Sequence, residues 1–253
     1  MVPAGNTHTN ERIAILRWTV RMGAVTPQAL AQHGGWTLAS ARARLAAAER
    51  AGLLRSRRVL ADAPALYTAT RAGLRASGLS GFDPCRISVA NAPHAIECAR
   101  VAAALERAYP DHRVMGEREL RRDERESGTP LASACLGHGP GGVPLLHRPD
   151  LVLWPDDPSE RLPVAVEVEL TVKAPQRLLE ICMAWARCRC VAGTLYLASE
   201  PVRSPLARAI ERAHAREQIA LVGLDALVGL DPPGGAPPEP AGTAAANTVP
   251  SDA

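Results

Sequence analysis

The sequence predicts an α+β protein in two parts: a small helical domain with a two-stranded ribbon, and a larger α/β domain on a mixed sheet. Capped helix starts recur over the first 80 residues, whereas apolar strands alternate with helical patterns beyond residue 94. Charge divides the chain in the same way. Residues 1–82 hold eleven arginines against three acidic residues, a net +8, so the remainder carries −5 of the total +3. A basic front part is typical of a module that binds a polyanion.

Bulk composition narrows the class of protein. The 253 residues are 47% hydrophobic, which is enough for packed cores. No apolar run approaches the ~18 residues of a membrane span, and residues 1–10 lack the apolar segment of a signal peptide. We therefore expect a cytoplasmic protein that does not enter a membrane. The six cysteines form no C-x-x-C pair, which favours free thiols over a zinc site.

The front elements are predicted from their caps. Asn10, Thr26, Thr37 and Thr70 each precede a helical pattern. The expected elements are helices up to residue 22, over 28–32, 38–51 and 71–77, and strands over 53–56 and 65–68. Helix, short helix, helix and ribbon in this order predict a winged helix-turn-helix over residues 10–80, whose third helix would enter the major groove of DNA.

The candidate DNA contacts lie on the third helix and the ribbon. They are Ser40, Arg42, Arg44, Arg55, Arg57 and Arg58. Arginine serves phosphate and base contacts alike, so the sequence read by these residues is not predicted. Two alternatives stay open: the arginines are only solvated, or the winged helix binds protein.

The back elements follow a linker over residues 81–93. We expect a helix over 94–108, a strand over 112–120 that carries Glu117 and Glu119, and a long loop or loose hairpin over 121–147. Next come paired strands over 148–154 and 163–172, a helix over 175–190, a strand over 193–198, a helix over 204–216, a strand over 219–222 and a helical turn over 225–228. This domain spans 94–230. Residues 231–253 have almost no apolar bulk, which predicts a disordered tail.

Acidic side chains on the two best strands predict a metal site. Glu167 and Glu169 alternate with valines and therefore point to one face, and Asp150 on the preceding strand can reach the same edge. Buried carboxylates need a cation or another partner, and carboxylate oxygens suit Mg²⁺. Glu119 or Glu117 would complete the set. The alternative is that the acids face solvent or pair with arginines: Arg148 and Arg177.

A single lysine stands out against 28 arginines. Lys173 follows Glu169 by four residues, and lysine is the basic residue whose pKa a protein can tune. We expect Lys173 to act beside the carboxylates. Chance is the alternative explanation.

These residues resemble the PD-(D/E)XK nuclease superfamily. Pro149-Asp150 matches the first half of its motif and Glu167 the acidic residue, and the predicted order of helix, three strands, helix and strand matches its core. The resemblance implies a restriction-endonuclease-like mixed sheet flanked by helices. Two residues after Glu167, however, stands Glu169 instead of lysine. Lys173 can replace that lysine only if the chain bends near Thr171.

Residues 11–228 as a whole are similar to the actinobacterial replication-relaxation proteins of plasmids and integrated elements. The similarity lies in the arginine-rich winged helix, His94, the Arg148-Pro149-Asp150 run and the run over 166–169. It implies DNA binding linked to plasmid or mobile-element replication or to relaxation of supercoiled DNA.

The leading hypothesis is a protein that binds double-stranded DNA and nicks it with Mg²⁺. Asp150 and Glu167 would hold the ion with Glu119, Glu169 would orient water, and Lys173 would stabilise the phosphate transition state. His94 or His147 would approach the phosphate. The main alternative is a non-catalytic transcriptional or replication regulator, whose degenerate nuclease fold would form a homodimer. A protein-binding adaptor is a third reading.

Overall fold

A computed structural model describes residues 5–157, 159 and 161–229. The tail that we predict to be disordered, residues 231–253, lies outside this part of the chain. The described chain is a mixed α+β fold, and its helices flank a mixed five-stranded sheet, as the sequence predicts.

The front part contains helices and a small antiparallel ribbon. Its elements are α1 (Gly5–Met22), α2 (Pro27–Gly34), α3 (Leu38–Arg50), β1 (Leu54–Arg57), β2 (Leu66–Ala69) and α4 (Arg71–Ser77). The hydroxyls of Thr26, Thr37 and Thr70 cap α2, α3 and α4 as predicted, because each accepts a hydrogen bond from a backbone N–H in the first turn. The predicted cap at Asn10 is wrong, since α1 begins at Gly5.

Apolar residues at helical spacing form the buried side of α3. Ala41, Leu45 and Ala48 are buried, and they pack with Leu16 and Leu30 of the preceding helices. The ribbon pairs in a regular antiparallel register from Leu54 opposite Ala69 to Arg57 opposite Leu66. The order of these elements is the one on which the expectation of a winged helix rests.

The back part alternates helices with strands. Its elements are α5 (Ala92–Ala108), β3 (His112–Gly116), α6 (Glu117–Ser127), β4 (Ala134–His138), a 3-10 turn (Pro140–Gly142), β5 (Pro144–His147), β6 (Leu151–Pro155), β7 (Val164–Glu169), α7 (Pro175–Arg187), β8 (Gly193–Ala198), α8 (Glu200–Arg212), β9 (Ile219–Gly223) and a final 3-10 turn (Leu224–Gly229).

Three predictions in the back part need correction. The strand expected over 112–120 ends at Gly116, so Glu117 and Glu119 lie on α6. The strand stops there because its partner β6 begins at Leu151, opposite Gly116. Over residues 121–147 the expected hairpin is present as β4 and β5, but most of α6 occupies the part before it, so the long loop is wrong. Helix α8 begins at Glu200, four residues earlier than expected.

Within the described residues, the large sheet has the order β3-β6-β7-β8-β9. Strands β3, β6 and β7 are antiparallel neighbours, as predicted for β6 and β7, whereas β7, β8 and β9 are parallel. Helix α5 covers one face, where Val101 and Leu105 pack with Leu151 and Val166. Helices α7 and α8 cover the other face.

Helix α5 also joins the two parts of the chain. Ala99 and Ala103 belong to the apolar cluster of the front helices. The carboxylate of Glu106 accepts a hydrogen bond from Trp18 Nε1 at 3.0 Å and contacts His33 Nδ1 at 2.6 Å. The two parts on either side of the predicted linker, residues 81–93, are therefore packed against each other through α5.

None of the helices in the described part of the chain combines the length and the apolar character that a membrane span requires.

Candidate functional site

The candidate site lies where β7 extends past the end of β6. The pairing of the two strands covers Val164 to Val166, and β6 begins at Leu151. Asp150 therefore precedes the strand on which we expected it. Its carboxylate replaces the missing strand neighbour, because Oδ2 accepts a hydrogen bond from the Val168 N–H at 2.8 Å. The predicted approach of Asp150 to this edge of the sheet is observed.

Helix α5 brings two further side chains to Asp150. His94 Nε2 lies 2.8 Å from Asp150 Oδ1 and 3.3 Å from the Sγ atom of Cys98. His94 and Cys98 are four residues apart and therefore share one side of α5. The hydrogen bond with Asp150 raises the pKa of His94 above its ordinary value, although burial opposes the rise. Burial raises the pKa of Cys98 well above the usual thiol range, and the charge of Asp150 adds to the effect.

Glu167 lies on the face of β7 that α7 covers, opposite the face that packs against α5. Its Oε1 atom accepts a hydrogen bond from Trp185 Nε1 at 3.1 Å and lies 2.7 Å from His147 Nε2. The side chain is buried, and burial raises the pKa of the carboxyl above its ordinary value although His147 opposes the shift. Glu167 is therefore held by partners and does not face solvent, contrary to the alternative reading.

The chain bends at Thr171, which meets the condition set above for Lys173 to return to the acidic residues. Its Nζ atom forms an ion pair with Glu169, which is buried. Burial lowers the pKa of Lys173, whereas the charges of Glu167 and Asp150 raise it, so all three groups lie within electrostatic reach. The structure thus brings Asp150, Glu167, Glu169 and Lys173 together.

Glu119 does not join this group. It lies on α6, where its Oε1 atom is 2.5 Å from a guanidinium nitrogen of Arg113, 3.4 Å from Arg21 and 3.7 Å from Arg122. The prediction that Glu119 shares a metal with Asp150 assumed that Glu119 lies on a strand. It is wrong, because Glu119 lies on helix α6 and its side chain points to these arginines. Glu117 stays nearer, since its N–H donates to the carbonyl oxygen of Asp150 at 2.9 Å.

The arginines that could have neutralised the acids have other partners. Arg148 Nε donates to Glu124 at 2.9 Å, and Arg177 lies 3.6 Å from Glu180. Sequence reasoning missed Cys98 and Trp185 as members of the site. The four-residue spacing of His94 and Cys98 on a predicted helix was a signal for the first, whereas nothing local marks Trp185.

The candidate DNA contacts differ in their partners. Arg42 on α3 and Arg58 after β1 are exposed. Arg44 is bound by Glu11 at 2.7 Å, stacks 4.3 Å from the ring centre of Trp36 and donates to Ser40.

The ribbon arginines touch the predicted linker. Arg55 and Arg57 are exposed but donate to the carbonyl oxygens of Cys85 and Ile87 at 3.4 and 3.2 Å. They also line a cavity of about 340 Å³ with Arg86.

The donor atoms at Asp150 do not fit magnesium. Mg²⁺ takes oxygen ligands in octahedral geometry, whereas His94, Cys98 and Asp150 offer nitrogen, sulfur and oxygen. These three atoms lie within 4.8 Å of one another. The nearby carboxylates of Glu167 and Asp150 already accept hydrogen bonds from Trp185 and Val168.

No family model matches this chain, and comparisons with curated proteins and with solved structures find no significant match.

Proposed function

We propose that this protein binds double-stranded DNA and that its C-terminal part cleaves a phosphodiester bond of it. The supporting observation is the convergence of Asp150, Glu167 and Lys173 at one edge of a mixed sheet, with a histidine beside each of the two acids. The acids and the lysine come from neighbouring segments, whereas His94 comes from α5, 56 residues before Asp150. The proposal includes a winged-helix front domain, a restriction-endonuclease-like back domain and a role in mobile-element replication or DNA relaxation.

The accessible groups of the site are basic and the buried ones are acidic. The side chains of His94 and Lys173 are 43% and 37% exposed, whereas those of Glu167 and Glu169 are 6% and 7% exposed. An incoming phosphate would therefore meet His94 and Lys173 first. Asp150 orients His94, and Glu169 holds Lys173. Because buried carboxylates repel a phosphodiester, cleavage should require a bound cation.

The front part supplies a surface that suits duplex DNA. Helix α3 exposes Arg42 between two small exposed residues, Ala39 and Ala43, which allow a backbone to approach closely. Arg58 is exposed beside the ribbon. The net charge of +8 over residues 1–82 would attract the polyanion over a longer range.

The test is incubation of the purified protein with supercoiled plasmid in Mg²⁺, Mn²⁺, Zn²⁺ or EDTA. We expect open-circular product that requires a metal ion. Lys173→Ala should slow cleavage on the order of 10²–10³-fold, the usual effect of removing one group that stabilises transition-state charge. Glu167→Ala should abolish cleavage.

The matched control is Arg177→Ala, because Arg177 is a nearby cation whose partner is Glu180. It should cleave nearly as fast as the unmodified protein, and the rates are compared at protein concentrations that saturate the DNA, so that differences in binding do not contribute. Equal cleavage by Lys173→Ala and Arg177→Ala, or no product with any metal, would refute the proposed nuclease.

A second function, the non-catalytic regulator, is favoured by Glu169. It stands in the position of the lysine of the nuclease motif, and its pairing with Lys173 reduces the free charge of that lysine. A gel shift without cleavage, together with a homodimer in sedimentation, would support this reading. Failure to bind any duplex at any salt concentration would instead favour the protein-binding adaptor.

A further inference from the structure

We infer that His94, Cys98 and Asp150 form a binding site for a divalent transition metal ion such as Zn²⁺. Among the described residues, these three side chains are the one group of histidine, cysteine and acidic residues whose ligand atoms lie close enough together to share an ion. The site would use three protein ligands and leave one position open, as catalytic zinc sites do.

The geometry needs only a small adjustment to accept an ion. Bonds of ~2.0–2.3 Å in a tetrahedral site place ligand atoms roughly 3.3–3.8 Å apart. His94 Nε2 lies 2.8 Å from Asp150 Oδ1 and 3.3 Å from Cys98 Sγ. Rotations of exposed or half-buried side chains would open these distances by less than ~1 Å.

The backbone holds two of the ligands on a rigid element. His94 and Cys98 are four residues apart on α5, the spacing that also places the two histidines of H-E-x-x-H helices on one zinc ion. Helix α5 is 17 residues long and packs against both parts of the chain. The pair of ligands is therefore oriented before an ion arrives.

The third ligand, Asp150, is anchored by hydrogen bonds to atoms other than Oδ1, the oxygen that would bind the ion in place of its contact with His94. Asp150 Oδ2 accepts from the Val168 N–H, and the Asp150 carbonyl accepts from the Glu117 N–H. Such contacts around a ligand orient it toward the ion. Oδ1 is the oxygen that faces His94. The side chain of His94 is 43% exposed, so water or a phosphate oxygen can reach the open position.

Donor chemistry selects the class of ion. Imidazole and thiolate bind Zn²⁺, Co²⁺ and related ions, whereas Mg²⁺ favours oxygen alone. Nearby negative charge from Glu167 would favour any cation but does not distinguish the classes. A role for this ion in cleavage rests on the proposed function; the binding of the ion does not.

The test is a titration of chelator-treated full-length protein with Co²⁺ in the absence of DNA, followed by absorption. A thiolate–Co²⁺ bond gives a charge-transfer band in the near ultraviolet. We expect one equivalent of Co²⁺ per chain, displacement by Zn²⁺ but not by Mg²⁺, and a rise in the unfolding temperature. Cys98→Ser should remove the band, and His94→Ala should weaken binding at least ~10-fold.

Two controls locate the thiolate. Cys85→Ser changes another half-buried cysteine, and the double variant Cys188→Ser/Cys190→Ser removes two thiols whose sulfur atoms lie 3.2 Å apart; both should keep the band. Retention of the band in Cys98→Ser, its loss in the double variant, or no Co²⁺ binding by the folded protein would overturn the site. Circular dichroism checks that each variant is folded.

This experiment separates the two proposals. Co²⁺ binding at Cys98 without plasmid cleavage would refute the nuclease and leave the metal site standing. Metal-dependent cleavage that persists in Cys98→Ser, together with the absence of a thiolate band in the unmodified protein, would support the nuclease and refute the metal site.

Discussion

At the scale of single residues, the partner of each arginine separates candidate DNA contacts from structural ones. Arg42 and Arg44 lie two residues apart on α3. Arg42 is exposed, whereas Arg44 forms an ion pair with Glu11 and stacks on the ring of Trp36. A guanidinium that is already paired and stacked loses these contacts if it turns to a phosphate. The two residues therefore form a matched pair for mutagenesis.

We expect Arg42→Ala to weaken binding to duplex DNA and to flatten the dependence of log K on log salt by about 1, because one phosphate contact is lost. Arg44→Ala should leave that slope unchanged and lower the stability of the front helices instead. Fluorescence anisotropy over a range of salt concentrations measures the first effect, and urea denaturation the second. Equal slopes for the two variants would contradict the assignment.

The thiols of Cys188 and Cys190 form a second residue-scale feature. Their sulfur atoms lie 3.2 Å apart beside a cavity of about 510 Å³. A hydrogen bond from Cys190 lowers the pKa of Cys188 to about 7, and the same bond raises the pKa of Cys190. When the pair has lost one proton, Cys188 therefore carries the negative charge and Cys190 keeps the remaining proton.

Because the thiolate is the reactive form, alkylation of Cys188 by iodoacetamide should rise with pH around a midpoint near 7. Cys190→Ala removes the hydrogen-bond donor, so the midpoint should move upward toward that of an ordinary thiol. Mass spectrometry of the peptide that contains residue 188, sampled across pH, provides the measurement. An unchanged midpoint in Cys190→Ala would show that the hydrogen bond does not control the pKa.

At the scale of elements, buried Glu124 attaches helix α6 to the chain that leads into the site. Its carboxylate accepts hydrogen bonds from Leu131 N at 3.0 Å, Ser133 Oγ at 2.6 Å and Arg148 Nε at 2.9 Å. Arg148 lies two residues before Asp150. The Arg148-Pro149-Asp150 run thus combines a structural anchor with a site residue.

Arg148→Met should lower the free energy of unfolding by about 3 kcal/mol, because it leaves the Glu124 carboxylate buried without its cation. The double variant Glu124→Gln/Arg148→Met should recover part of this loss. Urea denaturation gives both values. Arg203→Ala is the control, since its pair with exposed Glu200 should contribute less than ~1 kcal/mol. Equal losses in Arg148→Met and Arg203→Ala would exclude the anchor.

At the scale of the whole molecule, α5 couples the two parts of the chain. Its residues belong to the apolar clusters of both the front helices and the sheet, and Glu106 bonds Trp18 and His33 of the front part. Since domains that share a core helix cannot lose that helix independently, their unfolding should be coupled.

We therefore expect one cooperative unfolding transition. Variants that retain only Trp18 or only Trp185 report on the front and back parts, and their fluorescence should change at the same urea concentration. Ala103→Asp, which places a charge in the shared core, should shift both midpoints downward together. Two separate midpoints would restore independent domains on either side of residues 81–93.

Local interactions are what the sequence by itself determined. The threonine caps of α2, α3 and α4 and the strand Gly193–Ala198 follow from neighbouring residues, and all were predicted. Helix α6 was missed because its charged residues show neither an apolar stripe nor a side-chain cap at Gly116.

Only the tertiary structure decided which further residues join or leave the site. Asp150 and Glu167 converge because β6 and β7 pair, which the sequence indicated through two adjacent strands. Glu119 is not part of the site, because it pairs with three arginines from three elements: Arg21, Arg113 and Arg122. Cys98 and Trp185 were gained because α5 and α7 pack on opposite faces of the sheet. Such contacts join residues far apart in the chain, so no local pattern records them, and they determined the composition of the site.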